Sequence, residues 1–281
     1  EFGLDEDQLK FHDIDLMSLV KEYGTPLKIN YLPQISTNIQ KVKKWFSEVM
    51  QEVNYTGQYY YCYCTKSSHF KHVLDEVLKN KVHIETSSAV DIDIVEALKR
   101  EGKLPKDAYV LCNGFKRDQY IKNITHLINQ GDTNCIPIID NYEELNLLTQ
   151  GTNRPFQVGI RIASEEEPKF EFYTSRLGIG YKNIPSFYTN QIKDNPKVEL
   201  KMLHFFINSG IRDTAFYWNE LLKCLKVYIA LKKVCKSLDS LNIGGGFPIK
   251  NSLGFGKKLP GLISQILSIS NFQLAKIVNL P

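Results

Sequence analysis

The chain has 281 residues, of which 43% are hydrophobic and 23% are charged, and these values are typical of a globular protein with a sizeable core. The formal net charge of +4 is too small to indicate a nucleic-acid partner without a clustered basic face. The sequence lacks an apolar run long enough to span a membrane and an amino-terminal leader, so we expect a cytoplasmic protein. We expect its six cysteines to be reduced thiols, and no metal site is predicted.

Strands and helices alternate through most of the chain. A short helix over Leu16–Glu22, a short strand over Pro26–Leu32 and a first long helix over Ile35–Val53 are predicted ahead of that alternation. Each of the next four strands precedes an amphipathic helix, and a further helix is predicted before the last strand. The predicted strands are Tyr59–Cys64, Val82–Thr86, Ala108–Cys112, Ile136–Asp140, Gln157–Ala163, Val198–Phe206 and Ser240–Ile243.

Seven strands in β-α order, at about thirty residues per unit, indicate parallel βα units. This number favours an α/β fold of the closed (β/α)8 TIM-barrel type over the alternative, a doubly wound sheet. In such barrels the functional residues gather just after the carboxyl ends of the strands. Lys66, Asn113 and Asp140 all lie at such positions.

Two strand ends suggest a phosphorylated aldehyde cofactor. Lys66 is the first charge after the uncharged run of the first barrel strand, and a lysine amine can hold an aldehyde as a Schiff base. Three consecutive glycines follow the seventh strand, where barrels commonly bind phosphate through backbone N–H groups. Pyridoxal 5'-phosphate fits both needs. A solvated lysine and a glycine-rich tight turn are the alternative interpretations.

Nine short segments, in order and spacing, resemble the pyridoxal-phosphate decarboxylases of the alanine racemase fold, which act on ornithine, diaminopimelate and arginine. Biosynthetic arginine decarboxylase-like members are the most similar. The segments are Tyr23–Leu27, Cys64–Lys66, Ile84–Ser88, Asn113–Lys116, Ile139–Asp140, Gly159–Ile162, Ser175–Gly178, Leu203–Ser209 and Asn242–Pro248.

The resemblance implies a role for each matched position. Lys66 would be the catalytic lysine that bonds the cofactor, and Glu85 would lie close to it. Arg161 would lie beside the phenolic oxygen of the cofactor ring. The phosphate would be bound by Ser209, Gly244, Gly245 and Gly246.

The chain departs from the family pattern at two places. Phe206 stands where the family has a histidine stacked on the cofactor ring, and phenylalanine can stack but cannot donate a hydrogen bond. The Glu-Pro-Gly-Arg motif of the eighth strand and the carboxyl-terminal β-domain are not recognisable after Phe255. We therefore expect the eighth strand to be missing or altered, with unpaired edges on the first and seventh strands if the barrel stays open.

The expected domain organisation follows from this comparison. Residues 1–32 would join the β-domain of the full-length family, residues 33–255 would form the barrel that binds pyridoxal phosphate, and residues 256–281 would be a divergent tail. The missing elements suggest a truncated or frame-shifted form of a longer protein.

The predicted function is decarboxylation of a basic amino acid, by a homodimer in the full-length form. Arginine is placed first because the loop Glu165–Glu171 offers carboxylates near the barrel mouth, and diaminopimelate or ornithine comes next. The alternatives are a non-catalytic barrel that binds pyridoxal phosphate, acting as a carrier or a partner of decarboxylases, and a racemase of the same fold.

Overall fold

A small antiparallel sheet and a helix precede the barrel. The computed structural model describes residues 2–5, 8–164, 177–207, 214–245 and 276–279. Strands β1 (Phe2–Asp5), β2 (Gln8–Phe11) and β3 (Ile14–Asp15) form a sheet that the sequence did not predict. Helix α1 (Leu16–Tyr23) confirms the predicted helix, and its N-cap is Asp15, whose carboxylate accepts the Met17 N–H at 2.9 Å.

The predicted strand at Pro26–Leu32 is wrong. Residues 27–31 belong to no helix or strand. Side-chain contacts hold this segment instead, since the Tyr31 ring stacks on His12 with the ring centroids 4.6 Å apart.

The barrel elements follow the predicted alternation closely. A stretch of short helical turns over residues 181–192, which includes helix α7 (Ile184–Phe187), and the two-residue strand β9 (Ile179–Gly180) were not predicted. None of the helices in the described part of the chain is long and apolar enough to cross a membrane. In order, the other elements up to β9 are α2 (Pro33–Glu52), β4 (Gln58–Cys64), α3 (Lys71–Leu78), β5 (His83–Thr86), α4 (Ala89–Arg100), β6 (Val110–Cys112), α5 (Asp118–Asn129), β7 (Cys135–Ile139), α6 (Tyr142–Gly151) and β8 (Phe156–Ala163). After β9 come β10 (Val198–Phe205), α8 (Thr214–Lys232), β11 (Ser240–Asn242) and β12 (Lys276–Asn279).

The parallel strands close into a ring of eight. Pairing runs from β4 through β5, β6, β7 and β8 to β10, and then through β11 and β12 back to β4. All seven predicted strands belong to the ring, so the fold is the predicted (β/α)8 barrel. The eighth position is filled by Lys276–Asn279, whose sequence differs from the family motif, so this strand is altered and not missing. The edges of β4 and β11 are therefore paired, and the expected open edges do not occur.

Two apolar regions hold the barrel together. The larger one lies between the outer faces of the strands and the surrounding helices. The smaller one fills the inside of the ring and includes Cys62, Leu111, Ile138 and Met202. A Cβ on Gly159 would lie 2.5 Å from the Cδ1 atom of Ile138, so the interior is closely packed at this level and a larger residue would have to displace the Ile138 side chain.

Candidate functional site

A layer of polar side chains lies above the apolar interior, at the carboxyl ends of the strands. Side chains along a strand alternate between its two faces, so the residue two positions after an interior residue also points inward. This rule places Asn113 two residues after Leu111, Asp140 after Ile138 and His204 after Met202. The full layer is Cys64, Glu85, Asn113, Asp140, Arg161, His204 and Asn242, of which all but the half-buried Cys64 are buried. Buried polar groups are costly to place, so their concentration at one end of the barrel marks a candidate site.

One amide in this layer joins three strands. The Asn113 Nδ2 group lies 3.2 Å from Glu85 Oε1 and 3.1 Å from His204 Nε2. Its Oδ1 atom accepts the Gly114 N–H at 2.9 Å. The side chain of Asn113 thus connects residues that enter the layer from β5 and β10.

Burial changes the protonation of both partners of Asn113. It raises the pKa of Glu85 to about 7, although the hydrogen bond from Asn113 and the charge of Arg161 oppose that shift. Burial also lowers the pKa of His204 to about 3, and the positive charge of Arg161 acts in the same direction. The site therefore holds a neutral imidazole beside a carboxyl group that titrates near neutral pH.

A second pair in the layer is charged. Arg161 Nε lies 3.9 Å from Asp140 Oδ1, and the Arg161 guanidinium carbon lies 5.9 Å from the centre of the Phe206 ring. Both oxygens of Asp140 are buried and have no hydrogen-bond partner. Burial raises the pKa of Asp140, while the charges of Lys116 and Arg161 oppose this shift.

A buried ion pair supports the loops after β6 and β7. Lys116 Nζ lies 3.1 Å from Glu144 Oε2, and the two side chains are 0% and 2% exposed. The same amine donates to the carbonyl oxygens of Gly114 and Ile138. Glu144 in turn accepts the backbone N–H groups of Lys116 at 3.0 Å and of Asp140 at 2.9 Å. The pair therefore fixes the backbone on which Asn113 and Asp140 are mounted.

Lys66 lies at the end of the first barrel strand, as the sequence predicted, and its side chain is exposed. The preceding residue is held firmly, because the N–H and the hydroxyl of Thr65 both donate to the Glu85 carbonyl oxygen, at 3.0 and 3.1 Å. The positive charge of Lys66 opposes the rise in the pKa of Cys64 that burial causes, so Lys66 and Cys64 are electrostatic neighbours. Lys66 thus lies beside the polar layer.

The glycine turn after β11 is built for close backbone approach. Gly244 has a φ of +69°, and a Cβ there would lie 2.5 Å from the Phe205 carbonyl oxygen. The Gly244 N–H donates to Asn242 Oδ1 at 2.9 Å, so this N–H is used within the turn. Gly245 is buried beside it, whereas Ser209 and Gly246 lie outside the described residues. Phosphate binding by these residues stays a prediction.

The described residues fit pyridoxal phosphate at the lysine and at the glycine turn. An exposed amine and a turn that tolerates no Cβ occupy the ends of β4 and β11, with only β12 between them in the ring. The two buried carboxylate oxygens of Asp140 have no hydrogen-bond partner and remain to contact a bound molecule. The closed ring and this layer define a (β/α)8 barrel with a buried polar site at the carboxyl ends of its strands.

The family of this barrel is shown by comparison with known proteins. Residues 38–260 match the family described as pyridoxal-dependent decarboxylase, pyridoxal binding domain. The chain therefore belongs to the pyridoxal-dependent decarboxylase family. The expected family and its cofactor are both confirmed at this level.

Individual relatives agree with this assignment. The biosynthetic arginine decarboxylase of Prochlorococcus marinus is 23% identical over 85% of this chain and 39% of its own length, so the chain spans about two fifths of that curated relative. The diaminopimelate decarboxylase structure from M. jannaschii superposes with a TM-score of 0.80 at 16% identity, covering 100% of this chain and 66% of that chain. The biosynthetic arginine decarboxylase of Campylobacter jejuni gives a TM-score of 0.72 at 18% identity, covering 99% of this chain and 50% of that chain. At these identities the structures establish the fold.

Sequence reasoning missed part of the site. His204 and Asn242 carried no predicted role, although both lie in the polar layer and His204 contacts Asn113. The sequence did contain a signal for both residues, because the alternation of side chains along a strand directs each of them into the barrel at the carboxyl end of its strand. The Lys116–Glu144 pair was also missed, since nothing in the sequence joins two residues 28 positions apart.

Proposed function

We propose that this chain is the cofactor-binding barrel of a pyridoxal-phosphate-dependent decarboxylase that acts on a basic amino acid. Family membership supports the cofactor and the reaction class. The observation that carries the proposal is the placement of Lys66 and the Gly244 turn at the ends of β4 and β11, beside a buried polar layer. The sequence thus supplies an amine for the aldehyde and a backbone turn for the phosphate at the same barrel end.

Each residue of the proposed site would bind or orient one part of the cofactor. The chemistry that pyridoxal phosphate supplies when bound is withdrawal of the electron pair left at the α-carbon when carbon dioxide departs. Lys66 would hold the aldehyde end, while Gly245, Gly246 and Ser209 would bind the phosphate. Arg161, oriented by Asp140 and packed near Phe206, would present its guanidinium to an anionic oxygen.

Phe206 would cover one face of the cofactor ring through apolar contact alone. It carries no proton, so any hydrogen-bond donor to that face must come from another residue. The buried layer beneath would exclude water from the reacting groups.

The substrate is proposed to be arginine first, and then diaminopimelate or ornithine. The arginine decarboxylases among the relatives support this order. The loop Glu165–Glu171, on which the sequence argument for arginine depended, lies outside the described residues. Homodimer formation in the full-length protein and a cytoplasmic location are proposed with it.

Borohydride trapping tests the central claim. The purified chain is mixed with pyridoxal phosphate, reduced with borohydride and digested, and the labelled peptide is located by mass spectrometry. We expect the label on Lys66 and its loss in Lys66→Ala. Lys71→Ala is the matched control, because that lysine side chain is 72% exposed on α3 and lies outside the site. A label spread evenly over surface lysines in all three proteins would refute the proposal.

A non-catalytic barrel that binds pyridoxal phosphate is the second candidate. It is favoured by Phe206 in place of the ring-stacking histidine and by a described eighth strand, Lys276–Asn279, that carries no carboxylate. Release of carbon dioxide from arginine, ornithine or diaminopimelate, measured on the chain that passes the trapping test, separates the two candidates. Label on Lys66 without any release would favour the carrier.

A further inference from the structure

The orientation of the Asn113 side chain is determined by its three partners. Its oxygen accepts the Gly114 N–H at 2.9 Å, and its amino group lies 3.2 Å from the Glu85 carboxyl oxygen. Rotating the amide by half a turn would place two donors against each other at Gly114 and two acceptors against each other at Glu85. The amino group therefore points to Glu85 and His204.

This orientation determines which imidazole nitrogen of His204 carries the proton. The Asn113 amino group has two hydrogens, and one is directed at His204 Nε2 over 3.1 Å. Nε2 must then be the acceptor, so the proton of the neutral ring resides on Nδ1. Glu85 uses Oε1 toward Asn113, and the other polar neighbours of its carboxyl group are Asn242 and Cys64.

We propose that Asn113 is a positioning residue of the site. Its single amide holds Glu85 and His204 in one arrangement, with Glu85 Oε2 and His204 Nδ1–H directed away from Asn113, and this arrangement supports the molecule bound in the barrel mouth. Both atoms are buried, and Asn242 is a further polar neighbour of both groups. Only the identity of the bound molecule, a pyridoxal-phosphate cofactor with its amino-acid substrate, rests on the proposed function.

The charges around His204 agree with a neutral ring. The carboxyl group of Glu85 comes from β5, the guanidinium of Arg161 from β8, the amine of Lys116 from the loop after β6, and the neutral amide of Asn242 from β11. Burial and the two cations disfavour an imidazolium. The proton on Nδ1 is therefore set by Asn113 and not by titration at neutral pH.

The tautomer can be measured directly on the chain without cofactor. Two-bond nitrogen–proton NMR spectra of protein labelled with ¹⁵N-histidine report which ring nitrogen is protonated. We expect the Nδ1–H form for His204, assigned by its loss in His204→Gln. His83 serves as an internal reference for the other tautomer. Its Nδ1 accepts the Tyr109 N–H at 2.9 Å, so the proton of its neutral ring must lie on Nε2.

Substitution of Asn113 separates positioning from simple packing. Asn113→Asp has the same shape, and its ionised form only accepts hydrogen bonds. Above the pH at which this carboxyl group ionises, His204 should therefore switch to a ring protonated on Nε2. Asn38→Asp on the exposed face of α2 is the matched control and should change neither histidine. We also expect Asn113→Asp to weaken pyridoxal-phosphate binding by about tenfold, the effect of one lost hydrogen bond.

The outcomes distinguish this inference from the proposed function. An Nε2-protonated His204 in the unmodified chain, or an unchanged tautomer in a folded Asn113→Asp variant, would overturn the positioning role. Equal cofactor affinity in Asn113→Asp and in the unmodified chain would also overturn it. Failure of the unmodified chain to bind cofactor at all would refute the proposed function while leaving the tautomer result to stand by itself.

Discussion

Removal of one partner from the buried Lys116–Glu144 pair should destabilise the barrel strongly. We consider Glu144→Leu, which leaves the Lys116 amine 0% exposed, with hydrogen bonds to the Gly114 and Ile138 carbonyl oxygens and with Asp140 as a more distant charged neighbour. It also leaves the backbone N–H groups of Lys116 and Asp140 without their acceptor. An uncompensated buried charge costs about 3–5 kcal/mol, so the melting temperature should fall by on the order of 10 °C.

The reverse substitution should cost less. Lys116→Met leaves the Glu144 carboxylate with two backbone N–H donors, which partly stabilise its charge. We expect the free energy of unfolding of this variant to be lower by about 1–3 kcal/mol. In the double variant apolar side chains replace both charges, so no unpaired charge of this pair remains. Its loss of unfolding free energy should therefore be about 2 kcal/mol smaller than the sum of the losses in the two single variants.

Urea unfolding followed by circular dichroism measures all three variants. Glu48→Gln is the control, since its pair with Lys44 joins side chains that are 56% and 75% exposed and should contribute less than about 1 kcal/mol. A fall of less than about 1 kcal/mol in the free energy of unfolding of Glu144→Leu would refute the conclusion that the buried pair stabilises the barrel. Additive losses in the two single variants and the double variant would refute it as well.

Two further predictions concern the glycine turn and the titration of the site. In urea unfolding, Gly244→Ala should lower the free energy of unfolding by about 1–3 kcal/mol more than Gly102→Ala does. The two glycines have similar φ angles of +69° and +68°, but of these two only Gly244 has a backbone atom, the Phe205 oxygen, where an added Cβ would lie. Equal losses of free energy in the two variants would contradict this prediction. The pKa of the buried Glu85 is about 7 in the folded chain, against an ordinary value of 4.5, so the folded chain holds this proton more tightly than the unfolded chain does. Glu85 therefore makes the free energy of unfolding fall as the pH rises from 4.5 to 7, by up to about 1.4 kcal/mol per pH unit. The lowered pKa of His204, about 3 against 6.5, makes stability rise from pH 3 to 6.5. Glu85→Gln should therefore show a clear rise with pH between 4.5 and 6.5, measured by urea unfolding, whereas a fall there would refute the assignment.

Much of the barrel was predictable because its elements are encoded locally. Strand β8 was predicted at Gln157–Ala163 and is found at Phe156–Ala163, since an apolar run bounded by turn residues is a local signal. Lys66 and the glycines were singled out by their places at strand ends, and the resemblance to the decarboxylases supplied the cofactor.

The eighth strand could not be read from its own residues. Lys276–Asn279 is only four residues long, and it becomes a strand because β4 and β11 offer unpaired backbone on both of its sides. The amino-terminal sheet was missed for a related reason, because its shortest strand has two residues and depends on its neighbour for hydrogen bonds.

The amino-acid sequence by itself determined the order of strands and helices, the family and the position of Lys66, because these depend on neighbouring residues. Only the tertiary structure decided which polar groups meet. Asn113 and His204 are 91 residues apart, and they lie 3.1 Å from each other because ring closure brings their strands to the same barrel end. The protonation of Glu85 and His204 was decided at the same stage, since burial exists only in the folded chain.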